Sequence, residues 1–252
     1  MCELDIFKEN FFSTMMMLGK NPAGSLTVLP SGSLVSMSGL PSEDDNYVLF
    51  NSLTTQCEVK KSLDLFNKQK VPFVAPEFPD LGEQLPKMLE SLGLHTTNNY
   101  TAMYLSDKNK TYVSDTSCVE ITSLSEAETW AIASWMGFEG KTPVSESYVD
   151  FTKYLISRRE NKLFILKDKG IAVCSGLLCY SNRACGLYSF STLPEYRRRG
   201  FAKLLMNSMA AVAFRSHNIF VLLATEEGVP FYENFGFLSL ANIPIRTLKI
   251  KA

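Results

Sequence analysis

Part of the chain is written twice, and this constrains the fold more than any other feature. Leu26-Thr27-Val28-Leu29, four turn-like residues from Pro30 to Ser33, and Leu34-Val35-Ser36-Met37-Ser38-Gly39-Leu40 have a counterpart 137 residues later. It runs Leu163-Phe164-Ile165-Leu166, then Lys167 to Gly170, then Ile171-Ala172-Val173-Cys174-Ser175-Gly176-Leu177, without a gap. Both read as β-hairpins, short apolar strands around a turn rich in Gly, Ser, Pro or Asp. The same offset sets Tyr47 to Thr55 opposite Ala184 to Thr192, a third strand. Farther on, Leu89-Glu90-Ser91-Leu92-Gly93-Leu94 matches Glu233-Asn234-Phe235-Gly236-Phe237 at an offset of 143, each a helix end stopped by glycine. A strand follows each, at Thr101 to Leu105 and at Arg246 to Ile250. A shared order of elements points to duplication. The expected fold is α/β, an α+β mixed sheet flanked by helices, built twice in tandem. The polar stretch from Ser106 to Val119 separates the copies, which are expected at 1–112 and 113–252.

Composition narrows the function. The formal net charge of −1 over 252 residues lacks the Lys/Arg surplus that phosphate-backbone binding needs, so no nucleic-acid partner is expected. No apolar run approaches a membrane span, and Met1-Cys2-Glu3-Leu4-Asp5 is acidic where a secretory signal would be basic. Six cysteines without a Cys-x-x-Cys pair, and only His95 and His217, argue against a metal site. Reduced thiols in a cytoplasmic protein, monomer or homodimer, are the simplest expectation. A Cys179–Cys185 disulfide is conceivable if the turn between them centres on Asn182.

In the second copy, Ser125 to Met136 reads as a helix capped by Ser125 with Glu128 three residues on, and Ser147 to Arg159 as another. Strands are expected at Lys162 to Lys167, Gly170 to Tyr180 and Ala184 to Leu193. Gly200 to Ser216 is a long helix with Phe201, Leu205, Met209 and Val212 on its buried stripe. Ile219 to Ala224 is a continuous apolar run, as a strand covered on both faces would be, and Pro230 opens a short helix.

The chemistry concentrates in Ser191-Thr192-Leu193-Pro194-Glu195-Tyr196-Arg197-Arg198-Arg199-Gly200-Phe201-Ala202-Lys203, between a strand and the long helix. Turning there leaves backbone N–H groups unpaired at the positive end of the helix, a place that binds phosphate or pyrophosphate. Gly200 and the small Ala202 let an anion approach, and Arg197, Arg198 and Arg199 supply charge. The alternative is a solvated basic helix end.

This segment resembles the acetyl-CoA-binding motif of the GCN5-related N-acetyltransferase (GNAT) superfamily. The carriers are Arg197-x-x-Gly200-x-Ala202, preceded by Pro194 and followed by an apolar helix. A second segment, Phe231-Tyr232-Glu233-Asn234-Phe235-Gly236-Phe237, is similar to the family's Phe-Tyr-x-x-x-Gly-Phe run and is rightly spaced after Ile219 to Ala224. The resemblance covers about Val119 to Ile250. It implies acetyl-CoA as cofactor, lying where strand Ala184–Leu193 splays from strand Ile219–Ala224. Backbone near Phe190, Ser191, Thr192 and Leu193 would bind the pantetheine arm and polarise the thioester carbonyl. The pyrophosphate would meet Arg197 to Lys203, Phe201 included. A small-molecule or peptide amine would attack directly, and Tyr232 would protonate the departing thiolate. Thr225 stands where the family often has asparagine, and Gly228 where it often has alanine.

Several assignments have bland counterparts. Tyr232 also reads as a core tyrosine of a short helix, and His217 as a helix-end partner. Glu139, between the first two helices of this copy, is the candidate general base. Glu226 and Glu227 compete, and any one of the three reads more readily as a surface carboxylate than as a base. In the first copy the repeat sets Lys60 opposite Arg197 and Leu63 opposite Gly200, so a bulky side chain is expected where an anion would sit. That copy is read as having lost its cofactor site. The function expected is transfer of acetyl, or of a longer acyl group, to a primary amine. A non-catalytic acyl-CoA-binding protein remains an alternative. So does an aminoacyl-tRNA-dependent transferase, which would lack the Arg-x-x-Gly-x-Ala loop and carry a basic surface.

Overall fold

The structure, a computed structural model, describes residues 2–106, 110–138 and 143–248. They form two compact units, each drawing on both sides of residue 112. One holds the chain up to Asn10, then Met103–Leu223 and Pro230–Ser239. The other holds Phe11–Ala102, Ala224–Val229 and the chain from Leu240 onward.

The first copy opens with α1 (Glu3–Gly19), which the sequence reading leaves unassigned. Then β1 (Ser25–Val28), β2 (Leu34–Met37) and β3 (Asn46–Leu49) form an antiparallel meander, with Leu26 opposite Ser36 and Val35 opposite Val48. Next come α2 (Gln56–Gln69), β4 (Ala75–Pro76), α3 (Gln84–Ser91) and β5 (Leu94–Leu105). Tyr47 and Val74 join in a parallel bridge, so the chain from β3 through α2 returns alongside β3. Phe11 meets Tyr47 and Phe78 edge-on at 5.7 and 5.8 Å, anchoring the second half of α1 in this core.

The second copy repeats the plan with more elements: β6 (Cys118–Ile121), α4 (Ala127–Phe138), α5 (Glu146–Ser157), β7 (Asn161–Asp168), β8 (Ile171–Tyr180) and β9 (Cys185–Thr192). It closes with α6 (Phe201–Ala213), β10 (Phe220–Thr225), α7 (Val229–Phe235) and β11 (Leu238–Leu248). Strands β6 to β9 are an antiparallel meander, and β10 runs parallel to β9. From Leu240 on, β11 belongs with the first copy's strands, Ile245 pairing with Pro76 and Arg246 with Ala75. Arg246, buried, grips the Glu77 carboxylate and donates to Leu94 O at 3.0 Å.

Three local expectations need correction. The residue that caps the start of α4 is Ser123, in a capping box with Glu126 on one turn of 3-10 helix, rather than Ser125. Strand β11 begins eight residues before Arg246, because Asn242 and Pro244 hide its alternation. Cys179 and Cys185 do not face one another. The register pairs Tyr180 with Cys185 and Cys179 with Gly186, which puts the two cysteines on opposite faces of the sheet, and neither is in a disulfide.

Candidate active site

Strand β9 shares its parallel register with β10 only from Cys185 to Leu187. Beyond Leu187 it continues to Thr192 with β8 as its partner. Ser189 sits at φ +45°, and between the pairs Leu177–Tyr188 and Ser175–Ser191 the strand β9 spends one residue more than β8. This bulge resets the alternation. Tyr188 and Ser191 share one face, while Phe190 turns to the other, where it packs on Phe231 at 6.0 Å and Tyr232 at 6.4 Å. Leu193 N donates to Val173 O at 2.9 Å and ends the strand.

The chain then makes one 3-10 turn at Pro194–Tyr196 before entering α6. Arg198 and Gly200 both take left-handed backbone, at φ +60° and +87°. A Cβ on Gly200 would meet no protein atom within 4 Å, so the glycine is required by its φ and leaves open space above the helix start. Among the described residues the backbone N–H groups of Arg198, Arg199, Gly200, Phe201 and Ala202 have no protein acceptor. Such a run of donors at a helix N-terminus favours an anion.

The three arginines divide the labour differently from the sequence expectation. Arg197 donates through Nε to Thr192 O at 3.1 Å and through a terminal nitrogen to Gly137 O at 2.8 Å, bracing the end of α4 against the end of β9. Arg199 lies over the rings of Tyr196 and Phe201 at 5.0 and 5.1 Å and reaches Asp168 at 3.6 Å. Only Arg198 is exposed with no ion-pair or hydrogen-bond partner among the described residues.

Tyr232 lies on α7, whose C-terminus closes by Gly236 N and Phe237 N donating back to Tyr232 O at 3.1 and 3.0 Å. Phe237, buried, returns its ring to Tyr232 at 5.8 Å and to Phe220 at 5.5 Å. The Gly-Phe pair thereby locks the tyrosine's helix onto the core. Burial among these rings pushes the Tyr232 hydroxyl, which like any phenol is protonated at neutral pH, well above the ordinary phenol range. That hydroxyl has no hydrogen-bond partner among the described residues.

The other predicted residues are placed as follows. Ser191 is buried, its hydroxyl bonded to Ser175 Oγ at 2.9 Å and toward Ala133 O on α4, so it offers backbone rather than side chain to a ligand. Thr192 Oγ1 meets Cys174 Sγ at 3.2 Å, and burial pushes that thiol up to about 11. Ala202 is partly exposed and Lys203 exposed on the first turn of α6, and Leu193 is buried. Thr225, exposed, closes its own turn by accepting from Gly228 N at 3.3 Å. Glu226 and Glu227 are exposed beside it. Glu139 lies outside the described residues.

Leu63 requires a correction. It sits in the middle of α2, a helix that begins at Gln56, so it is not at the position of Gly200. The residue that opens α2, as Gly200 opens α6, is Thr55. Thr55 forms a capping box with Glu58. The Glu58 carboxylate accepts from Thr55 N at 2.8 Å, Thr55 Oγ1 at 2.8 Å and Ser31 N at 2.7 Å. The first copy thus fills its helix start with an anion of its own. The sequence reading also passes over Tyr188, the first residue beyond the strand split, and Asn10, to which its hydroxyl is bonded at 2.9 Å. No motif marks either.

Residues 159–238 match the family model described as the acetyltransferase (GNAT) domain. No curated protein matches the sequence. Among solved structures, the chain is similar to a GCN5-related N-acetyltransferase from Kribbella flavida, at 10% identity and TM-score 0.69, with 96% of each chain covered. It is also similar to a tandem GNAT protein from the clavulanic acid biosynthesis pathway, at 11% identity and TM-score 0.61, covering 97% of this chain and 95% of that one. A third likeness is to a GCN5-related N-acetyltransferase from Sphaerobacter thermophilus, at 14% identity and TM-score 0.61, covering 88% and 79%. At such identities these likenesses establish the fold.

Proposed function

We propose that this chain transfers an acetyl group from acetyl-CoA to a primary amine: residues 159–238 match the acetyltransferase (GNAT) domain model, and the fold is similar to that of a tandem GNAT protein. The observation that carries this reading is the run of N–H donors from Arg198 to Ala202, unpaired among the described residues, in the loop that follows the stretch of β9 that has left β10. The residues fit the group: the donors and the exposed Arg198 guanidinium suit a pyrophosphate, and the β9 edge beyond Leu187 suits the amide-bearing pantetheine arm. When bound, acetyl-CoA supplies an activated thioester with a thiolate leaving group.

The remaining work falls to the chain. Arg197 holds the loop and α4 together, so the donors keep their direction. In this reading the backbone at Phe190 to Thr192 polarises the thioester carbonyl. Tyr232 keeps its proton at neutral pH and gives it to the departing sulfur. The amine sheds its own proton to solvent or to a carboxylate, for which the sequence nominates Glu139.

Calorimetry with acetyl-CoA, followed by thiol release across a panel of amines and peptides, tests the proposal. Micromolar binding with amine-dependent thiol release is expected. Binding without turnover on any amine would instead make the chain an acyl-CoA-binding protein, and absence of binding would overturn both readings.

A further inference from the structure

The first copy holds an open cleft of about 680 Å³, a size within the range of small-molecule sites. One wall is the segment that enters α2, at Ser52 and Thr54, and the other is the stretch that opens α3, between Leu81 and Met88. In the order of elements these walls answer to the loop that enters α6 and the start of α7 in the second copy. The cleft has therefore outlasted the phosphate seat beside it, where the Glu58 carboxylate takes the donors of Thr55 and Ser31. A fixed anion there turns a phosphate-bearing ligand away, so the cleft is left for a ligand of different chemistry.

The walls are fixed in shape. Thr54 is buried, and its hydroxyl donates to Asn51 O at 2.8 Å, accepts from Asn51 N at 3.0 Å and lies 2.6 Å from Ser33 Oγ. Gly82, exposed on the lining, takes φ +70° and ψ −175°, backbone open essentially to glycine alone. A Cβ there would meet no atom within 4 Å. Leu81 and Leu85 are buried and give the cleft its apolar part. The side chains of Ser52, Glu83, Gln84 and Lys87 are exposed on the same lining, with no hydrogen-bond or ion-pair partner among the described residues.

This lining carries one free anion and one free cation. A ligand with a single charge meets one attraction and one repulsion, whereas a zwitterion meets two attractions. Glu83 and Lys87 stand four positions apart, about 6 Å along a helix axis. An extended peptide advances about 3.3–3.6 Å per residue, so two or three residues bring its ends to both charges. We propose that the cleft binds a short peptide with free ends, its carboxylate on Lys87 and its ammonium on Glu83. The peptide groups meet Ser52 and Gln84, and an apolar side chain covers Leu81 and Leu85. The inference does not depend on acetyl transfer by the second copy. The plainer reading, a solvated helix face with an i,i+4 charge pair, predicts no saturable binding.

Calorimetric titration of the full chain, without acetyl-CoA, with Ala-Leu-Ala, Ala-Met-Ala and Ala-Phe-Ala tests the site. At least one peptide should saturate at one equivalent, and its N-acetylated, C-amidated form should bind ~5-fold or more weakly, the upper end of what exposed charge pairs give. Lys87→Glu should weaken the free peptide by a similar factor, and Ser52→Trp should abolish its binding by filling the cleft. Both variants should leave acetyl-CoA affinity unchanged. Both change exposed residues, and Glu83→Lys replaces either one that melting shows to be unfolded. Failure of all three peptides to saturate overturns the inference. So does wild-type peptide affinity in either folded variant, which would place the peptide elsewhere on the chain.

Discussion

At the scale of single residues, the loop glycine shows how the structure adds a second physical reason to a sequence expectation. The sequence argues that a side chain at Gly200 would collide with an anion. The structure adds that the backbone there is left-handed, at φ +87°, and that a Cβ would meet nothing in the protein. Gly200→Leu should therefore fold, at a cost of about 1–2 kcal/mol from the left-handed backbone, and should lose acetyl-CoA binding. Thermal melting and calorimetry on one sample separate the two effects. Unchanged affinity in the folded variant would end the assignment of this loop. The arginines were legible as charge but not as geometry, because nothing in Arg197-Arg198-Arg199 says which guanidinium finds Gly137 O and which remains in water. Tyr232 was legible through the Gly-Phe that follows it, since that pair fixes its helix. Tyr232→Phe keeps the ring contacts with Phe190, Phe231 and Phe237. Its turnover number should fall by ~10²-fold or more, as for loss of a positioned acid, while the Michaelis constants hold. Turnover retained, with chemistry rate-limiting, would make Tyr232 a packing residue.

At the scale of elements, α2 and α6 solve the same problem in opposite ways. Both follow the last strand of an antiparallel meander, and both begin with backbone donors that need partners. α6 leaves them open, whereas α2 supplies Thr55 and Glu58. Backbone hydrogen bonds from Thr55 and Ser31 hold the Glu58 carboxyl down to about 2, against the opposing effect of its burial. The folded value lies below the unfolded one. The cap's contribution to stability is then complete above about pH 4.3, the ordinary glutamate range, and is lost as pH falls toward 2. Melting midpoints followed from pH 7 to pH 2 should drop in that window for the wild type and lose part of that drop in Glu58→Gln. Parallel curves for the two proteins would show that the capping box is not what the acid breaks. Most strands and helices of the second copy were legible because their apolar periods are clean. α1 was not. Its Phe11-Phe12 and Met15-Met16-Met17 runs blur the helical stripe, and its buried polar residues, Asn10 and Thr14, give no local signal at all.

At the scale of the whole molecule, the duplication was legible in its hairpins, where short apolar strands tolerate little change in length. It was not legible residue by residue beyond them. Carrying the constant offset past the third strand set Leu63 against Gly200, although the first copy enters its helix at Thr55 and uses a shorter loop to reach it. Nor does a linear repeat announce that β11 will pair with β4 of the earlier copy, since strand pairing depends on edges that sequence does not label. The number of cofactors per chain follows from these particulars. Among the described residues, the second copy presents unpaired donors from Arg198 to Ala202, with open space over Gly200. The first presents a helix start whose donors already hold the Glu58 carboxylate, and a second anion there would be repelled by the first. We therefore expect one acetyl-CoA per chain, bound by the second copy. Calorimetric titration should saturate at one equivalent, and Gly200→Leu should abolish that single transition rather than expose a weaker one. Saturation at two equivalents in the wild type, or a remaining equivalent in folded Gly200→Leu, would place a cofactor in the first copy and show that Glu58 yields to it.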